Sequence, residues 1–198
     1  TNEPDVLERM NFTIPAGSFV AIVGESGAGK STLMRVLLGL MPPTAGKILI
    51  DGNQLTPASI LGWRSRIAAV MQDDHLLSGS LADNICFFED RPDTQKMEAV
   101  SKMARIHDTI MAMPMAYQSL IGDMGNALSS GQRQRIMLAR ALYKDPDVLF
   151  LDEGTANLDE KNEAEIGDMI ASLPITRIAI SHRPALVERA DYVFKLED

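Results

Sequence analysis

The sequence predicts an α/β fold with a mainly parallel sheet. Three observations carry that expectation. Short apolar runs at FVAIV (19–23), RIAAVMQ (66–72), VLFLDE (148–153) and RIAISH (177–182) have the length and near-continuous hydrophobicity of strands buried on both faces. Longer stretches between them place apolar residues at three- and four-residue steps, as helices do. Strands that alternate with helices pack as a parallel, helix-covered sheet.

The elements follow in order. VLERMNFTI (6–14), the turn Pro15-Ala16-Gly17-Ser18 and FVAIV read as strand, turn, strand. STLMRVLLGL (31–40) reads as a helix that Pro42-Pro43 stops. KILI-DG-NQL (47–55) reads as a hairpin, because Asp-Gly between apolar runs suits a tight primed turn. With the first strand it makes an N-terminal antiparallel β subdomain. From about 78 to 142 the pattern is helical, with Met97, Val100, Met103, Ala104 and His107 on one stripe, and this block reads as an insertion between two sheet strands. Residues 160–172 predict one more helix. The whole, 1–198, is read as one domain.

Composition bounds the function. The net charge is 19 − 27 = −8, with a pI near 4.9, which argues against a nucleic-acid partner needing clustered Lys and Arg. One cysteine, Cys86, excludes a disulfide framework within the chain and suits a reducing, cytosolic setting. No apolar run approaches the ~18 residues that span a bilayer, and no signal peptide is evident. The chain reads as a soluble piece excised from something larger.

The chemistry begins at Gly24-Glu25-Ser26-Gly27-Ala28-Gly29-Lys30-Ser31-Thr32. This GxxxxGK[ST] pattern follows a strand and opens a helix, the context a P-loop needs. Its glycines let backbone N–H groups close around phosphates, Lys30 supplies a point charge, and the Ser31 hydroxyl suits Mg²⁺. A glycine-rich turn without a ligand would not need Lys30 and Ser31 at those places. The site alone reads as that of a P-loop NTPase, of the RecA-like kind, or of a P-loop kinase, with Mg²⁺ at its phosphates. Asp152 and Glu153 end a buried strand at the sheet edge where such ligands sit. Asp152 suits the Mg²⁺ shell and Glu153 the activation of a water. Gln72 and His182 also end apolar runs, on the same expected edge. Gln72 would touch Mg²⁺ or the water, and His182 the γ-phosphate.

ALSSGQRQRIMLARAL (127–142) opens a second helix with a capping box, Ser129 as N-cap and Gln132 three residues on. Capping has little use for Gly131, whose smallness admits another body. An anion-facing helix start far from the P-loop suggests the nucleotide of a neighbour. Arg133, Arg135 and Arg140 read as a solvated face, and the methionines between 97 and 124 as core filling.

GESGAGKST, Gln72, LSSGQRQR, VLFLDE, ANLD (156–159) and ISHR (180–183) occur in the order of ATP-binding cassette nucleotide-binding domains, and the chain resembles that family over essentially its whole length. The resemblance implies head-to-tail pairing of two such domains, a homodimer in the simplest case. Ser129 and Gly131 would then meet the partner's ATP, and Asp159 the dimer interface. It further implies a helical subdomain at 78–142 that docks on coupling helices of a transmembrane domain near Gln72, with Asp123 sensing that contact. The site would lie on the cytoplasmic face of a bacterial inner membrane. Ser130 departs from the family's LSGGQ, GTANLD departs from its commoner ATSALD, and no aromatic residue precedes Phe12 to stack on adenine. MQDDHLLSGSLADNI (71–85) is similar to exporter cassettes, in particular bacteriocin and colicin V-type peptide exporters. Exporters of lipids or small molecules, and soluble cassette ATPases acting on nucleic acid or ribosomes, are the alternatives. A small-molecule kinase would explain residues 24–32 but not LSSGQ, ANLD or His182.

Overall fold

The computed structural model describes residues 7, 8, 10–121, 128–152, 160–181 and 183–196, with backbone alone at 160–162. Its centre is a five-stranded sheet, built from β1 (Phe19–Gly24), β4 (Ile67–Val70), β7 (Val148–Asp152), β8 (Thr176–Ile180) and β9 (Tyr192–Leu196). The spatial order is β4-β7-β8-β1-β9, and every neighbouring pair is parallel. The apolar runs split by alternation. Phe19, Leu149, Leu151 and Ala179 enter one core; Val20, Ile22, Phe150, Ile178 and Ile180 enter the other. Each run is continuous because both sheet faces are covered.

Helix α1 (Lys30–Leu37) covers the second core through Leu33 and Met34, joined by Trp63 of α2 (Ile60–Ser65). The helix ends earlier than Pro42-Pro43 suggests. Gly39, at φ +68°, donates to Val36 O, and Leu40 donates to Arg35 O at 2.8 Å. These two bonds are a Schellman stop, so glycine ends α1 before the prolines are reached. A Cβ on Gly39 would lie 2.9 Å from Ile60 Cγ1. Gly39→Ala is therefore expected to cost about 2 kcal/mol from left-handed strain and crowding, a drop of roughly 4–8 °C in Tm by calorimetry.

The hairpin between α1 and α2 forms as expected: β2 (Leu49–Ile50) pairs with β3 (Asn53–Gln54), and Asp51 and Gly52 take φ of 50° and 80°. Two positive φ values are what a type I′ turn requires. The first expected strand does not form in the described residues. Residues 10–15 carry no ladder; Phe12 instead packs against Phe194 in a tilted ring contact at 4.8 Å and Ile14 packs on the second core. The antiparallel part near the N-terminus is thus the β2–β3 hairpin.

Between β4 and β7 lie β5 (Gly79–Ser80), α3 (Leu81–Ile85), α4 (Thr94–Met103), α5 (His107–Met111), β6 (Leu120–Ile121) and α6 (Ser130–Tyr143). Met97, Val100 and Ala104 are buried as expected, but Met103 is exposed, and Arg105 at φ 52° breaks the stripe so that His107 opens a new helix. α7 (Glu160–Ser172) follows β7, and α8 (Pro184–Val187) follows β8. Among the described residues no helix is long and apolar enough to cross a membrane.

Candidate functional site

Parallel strands end on one side, so the C-terminal ends of β1, β4, β7 and β8 share an edge. Ile22 pairs with Ile180, and Ile180 with Asp152, which sets these strand ends level. The loop between β1 and α1 crowns that edge. Gly24 is needed for close approach, since a Cβ there would lie 2.8 Å from Leu196 O. Gly27 and Gly29 are needed for conformation, at φ 95° and 84°. Glu25, Ser26 and Gly27 are exposed, and Ala28 is buried beneath them. Lys30, itself buried, donates from Nζ to Gly24 O at 2.8 Å and to Glu25 O at 2.6 Å. The ammonium is held against the loop it serves.

α1 begins at Gly29 with no side-chain cap and no acid in its first turn, so its first N–H groups keep their capacity for an anion. Ser31 is exposed and Thr32 half-buried at that end. A cation, turned N–H groups and a helix N-terminus converge on one place, as a phosphate site requires. Asp152 is buried at the end of β7, and Gln72 is exposed two residues beyond the end of β4. Glu153, Asp159, His182 and Asp123 lie outside the described residues. Ser181, at the end of β8, is buried, donates from its backbone to Ile22 O at 3.3 Å, and accepts Arg183 N–H on its hydroxyl at 3.0 Å.

At the start of α6 the capping box forms in both directions. Ser129 Oγ accepts Gln132 N–H at 3.2 Å, and Gln132 Oε1 accepts Ser129 N–H at 2.9 Å. Ser129 is exposed, whereas Gly131, expected to admit a second body, is buried by its own chain. The exposed Ser129 is what this helix start presents outward.

Two arginines of α6 are not a solvated face. Arg135 Nη2 pairs with Glu165 Oε2 at 2.7 Å with its side chain only 13% exposed. Arg140 is half-buried, and burial lowers its pKa below the ordinary guanidinium value. It donates to Asn84 O at 2.9 Å, to Asn84 Oδ1 at 2.5 Å and to His75 O at 3.3 Å. Asn84 is fully buried. Its amide also holds Leu77 N–H and C=O and Ser80 C=O at 2.8–3.0 Å. The loop after Gln72 is thereby fastened to α6. Sequence reasoning passed over Asn84; an amide on the inward side of a capped helix was the available signal.

The fold and this edge define a P-loop nucleotide-binding protein. The family model described as ABC transporter matches residues 7–156, and the chain belongs to that family. It is an ATP-binding domain of that family. The probable microcin-H47 and the colicin V secretion/processing ATP-binding proteins of Escherichia coli are each 44% identical over 191 residues, 96% of this chain and 27% of theirs. The chain thus spans about a quarter of the length of those relatives. A solved bacterial Atm1-family ABC exporter with ATP bound superposes with a TM-score of 0.86 at 35% identity, covering 100% of this chain and 35% of that one.

Proposed function

We propose that the chain is the motor domain of an exporter, at the cytoplasmic face of a bacterial plasma membrane, with a bacteriocin-type peptide as cargo. The observation that carries this reading is a pair of helix starts on separate elements: the Lys30 cradle before α1 and the exposed, capped Ser129 before α6. Likeness to the two secretion proteins supports the cargo class.

In this reading two copies pair head to tail. The γ-phosphate lies against Lys30 of one copy, while the exposed Ser129 of the other closes over it, with Gly131 and Gln132 in the turn behind it, and Asp159 joins the interface. Lys30 concentrates positive charge where charge builds in the transition state. Glu153 accepts a proton from the attacking water, Gln72 orients that water, and His182 hydrogen-bonds the γ-phosphate. Ser31, Gln72 and Asp152 form a hard oxygen set that fits Mg²⁺. Mg²⁺ would neutralise phosphate charge when bound.

The block at 78–142 is the subdomain that docks on the coupling helices of a transmembrane domain. Phe87 and Phe88 favour this: both are about half exposed, at φ 52° and 58°, and Phe87 lines an open cleft of about 510 Å³ together with Tyr143 and Lys144. Two exposed aromatic rings on a strained turn suit a protein partner.

Sedimentation velocity of Glu153→Gln, with and without Mg-ATP, tests the pairing. An ATP-dependent dimer that Ser129→Arg abolishes is expected. A dimer indifferent to Ser129→Arg, or a monomer that binds ATP tightly, counts against head-to-tail pairing.

A further inference from the structure

We propose that α7 is a bracket joining the two half-sites of one chain, linking the Ser129 helix to the segment that carries His182. This inference rests on the roles proposed above for Ser129 and His182.

Glu163 and Glu165 stand two residues apart on α7, hence about 200° apart around it, on different flanks. Each finds an arginine of a different element. Glu165 Oε2 meets Arg135 Nη2 of α6 at 2.7 Å, and Arg135, six residues after Ser129, also donates to Arg105 O at 3.0 Å. Glu163 Oε2 meets Arg183 Nη1 at 2.6 Å, and Glu163 is buried, with only 9% of its side chain exposed. Arg183 is the residue after His182, and its N–H is already fixed on Ser181 Oγ.

Two more contacts hold the same segment to the same helix. Gly167 of α7 faces Ala185 O of α8, where a Cβ would come to 3.1 Å. Asp168 Oδ1 accepts from Arg189 Nε at 2.7 Å. α7 is thus tied on one flank to the helix that begins at Ser129, and on another to the segment beginning at Arg183. A shift of α6 when Ser129 meets the partner's nucleotide is passed to the residues flanking His182, beside the chain's own nucleotide. Glu163, Glu165, Arg135 and Arg183 are positioning residues in this scheme, since none touches the reacting atoms.

Steady-state ATP hydrolysis by the 198-residue chain, measured against ATP concentration with Mg²⁺, tests it. Glu163→Gln and Glu165→Gln are each expected to lower kcat about tenfold with KM within about twofold, because misplacement harms the transition state more than binding. The two ties act in series, so the double variant falls no further than either single one. Exchanging the charges, Glu163→Arg with Arg183→Glu, should restore kcat.

Unchanged kcat in either single variant overturns the bracket. So does a double variant whose losses multiply, or a charge exchange that recovers Tm but not kcat. If Glu163→Gln does not fold, Arg183→Lys keeps the charge, and its kcat must then lie between wild type and the glutamine variants. Ser129→Arg and His182→Ala run beside them. If those two leave kcat intact, the site assignment fails; if they abolish it while the α7 variants do not, only the bracket fails.

Discussion

Lys30→Ala is expected to lower ATP hydrolysis by at least about a hundredfold and to weaken ATP binding, while the fold persists. Losing a preorganised charge at a site of developing negative charge costs two to three orders of magnitude. Here the charge is placed in advance. Nζ lies within 2.8 Å of Gly24 O and Glu25 O, on a buried stem. Two loop carbonyls lose a donor in the variant, but that loop is exposed at Glu25, Ser26 and Gly27, so water replaces it. The core clusters of the sheet are untouched, and circular dichroism should show near-native content. Lys30→Arg is expected to fail as well, because a planar guanidinium does not fit where a compact ammonium touches two carbonyls. Hydrolysis assays with an ATP titration check both. Activity within about threefold of wild type in Lys30→Ala would move the phosphate site away from this loop.

The parts of the fold legible in the sequence are those where a local rule and the tertiary environment agree. FVAIV, VLFLD and RIAI are buried on both faces, so a continuous apolar run is unambiguous. Asp51-Gly52 meets a requirement for positive φ that is purely local. The Ser129–Gln132 box is likewise complete within four residues. Legibility fails where the deciding neighbour is far along the chain. β9 passed unnoticed because it is an edge strand with Tyr192, Val193 and Lys195 exposed, leaving little hydrophobic signal. The run ending at Ile14 looks strand-like, yet its described residues find packing partners and no ladder. Arg135 and Arg140 look like solvent-facing charges because Glu165 and Asn84 are 30 and 56 residues away. The P-loop was legible in full, since its backbone conformation and its lysine come from one contiguous stretch. Arg183 and Glu163 were not, for the same reason as the α6 arginines.

Asn84→Ala carries the largest expected stability loss, about 3–5 kcal/mol, or roughly 10 °C or more in Tm. The residue is fully buried and its amide is saturated: Oδ1 accepts from Leu77 N–H and Arg140, and Nδ2 donates to Leu77 O and Ser80 O. Truncation leaves three backbone groups short of a partner in a place with little water, and each such loss costs about 1–3 kcal/mol. It also strips a neutral acceptor from Arg140, whose charge burial already disfavours. The arginine keeps Asn84 O and His75 O, so its own fold-back is not fully lost. Arg140→Met removes the charge together with its need for acceptors and should cost less. A cycle of Asn84→Ala, Arg140→Met and the double variant should therefore be sub-additive, the double costing about 1 kcal/mol or more below the sum. Thermal and urea unfolding give the numbers. The effect should reach chemistry too, because the loop held by Asn84 begins just after Gln72. An Arg140→Met chain that stays folded should lose kcat while KM for ATP holds, since a loosened Gln72 weakens water placement and leaves the Lys30 cradle intact. If the cycle is additive, Asn84 and Arg140 act separately and α6 does not govern that loop. If it is sub-additive and kcat falls with it, the same helix that starts at Ser129 also sets the position of Gln72.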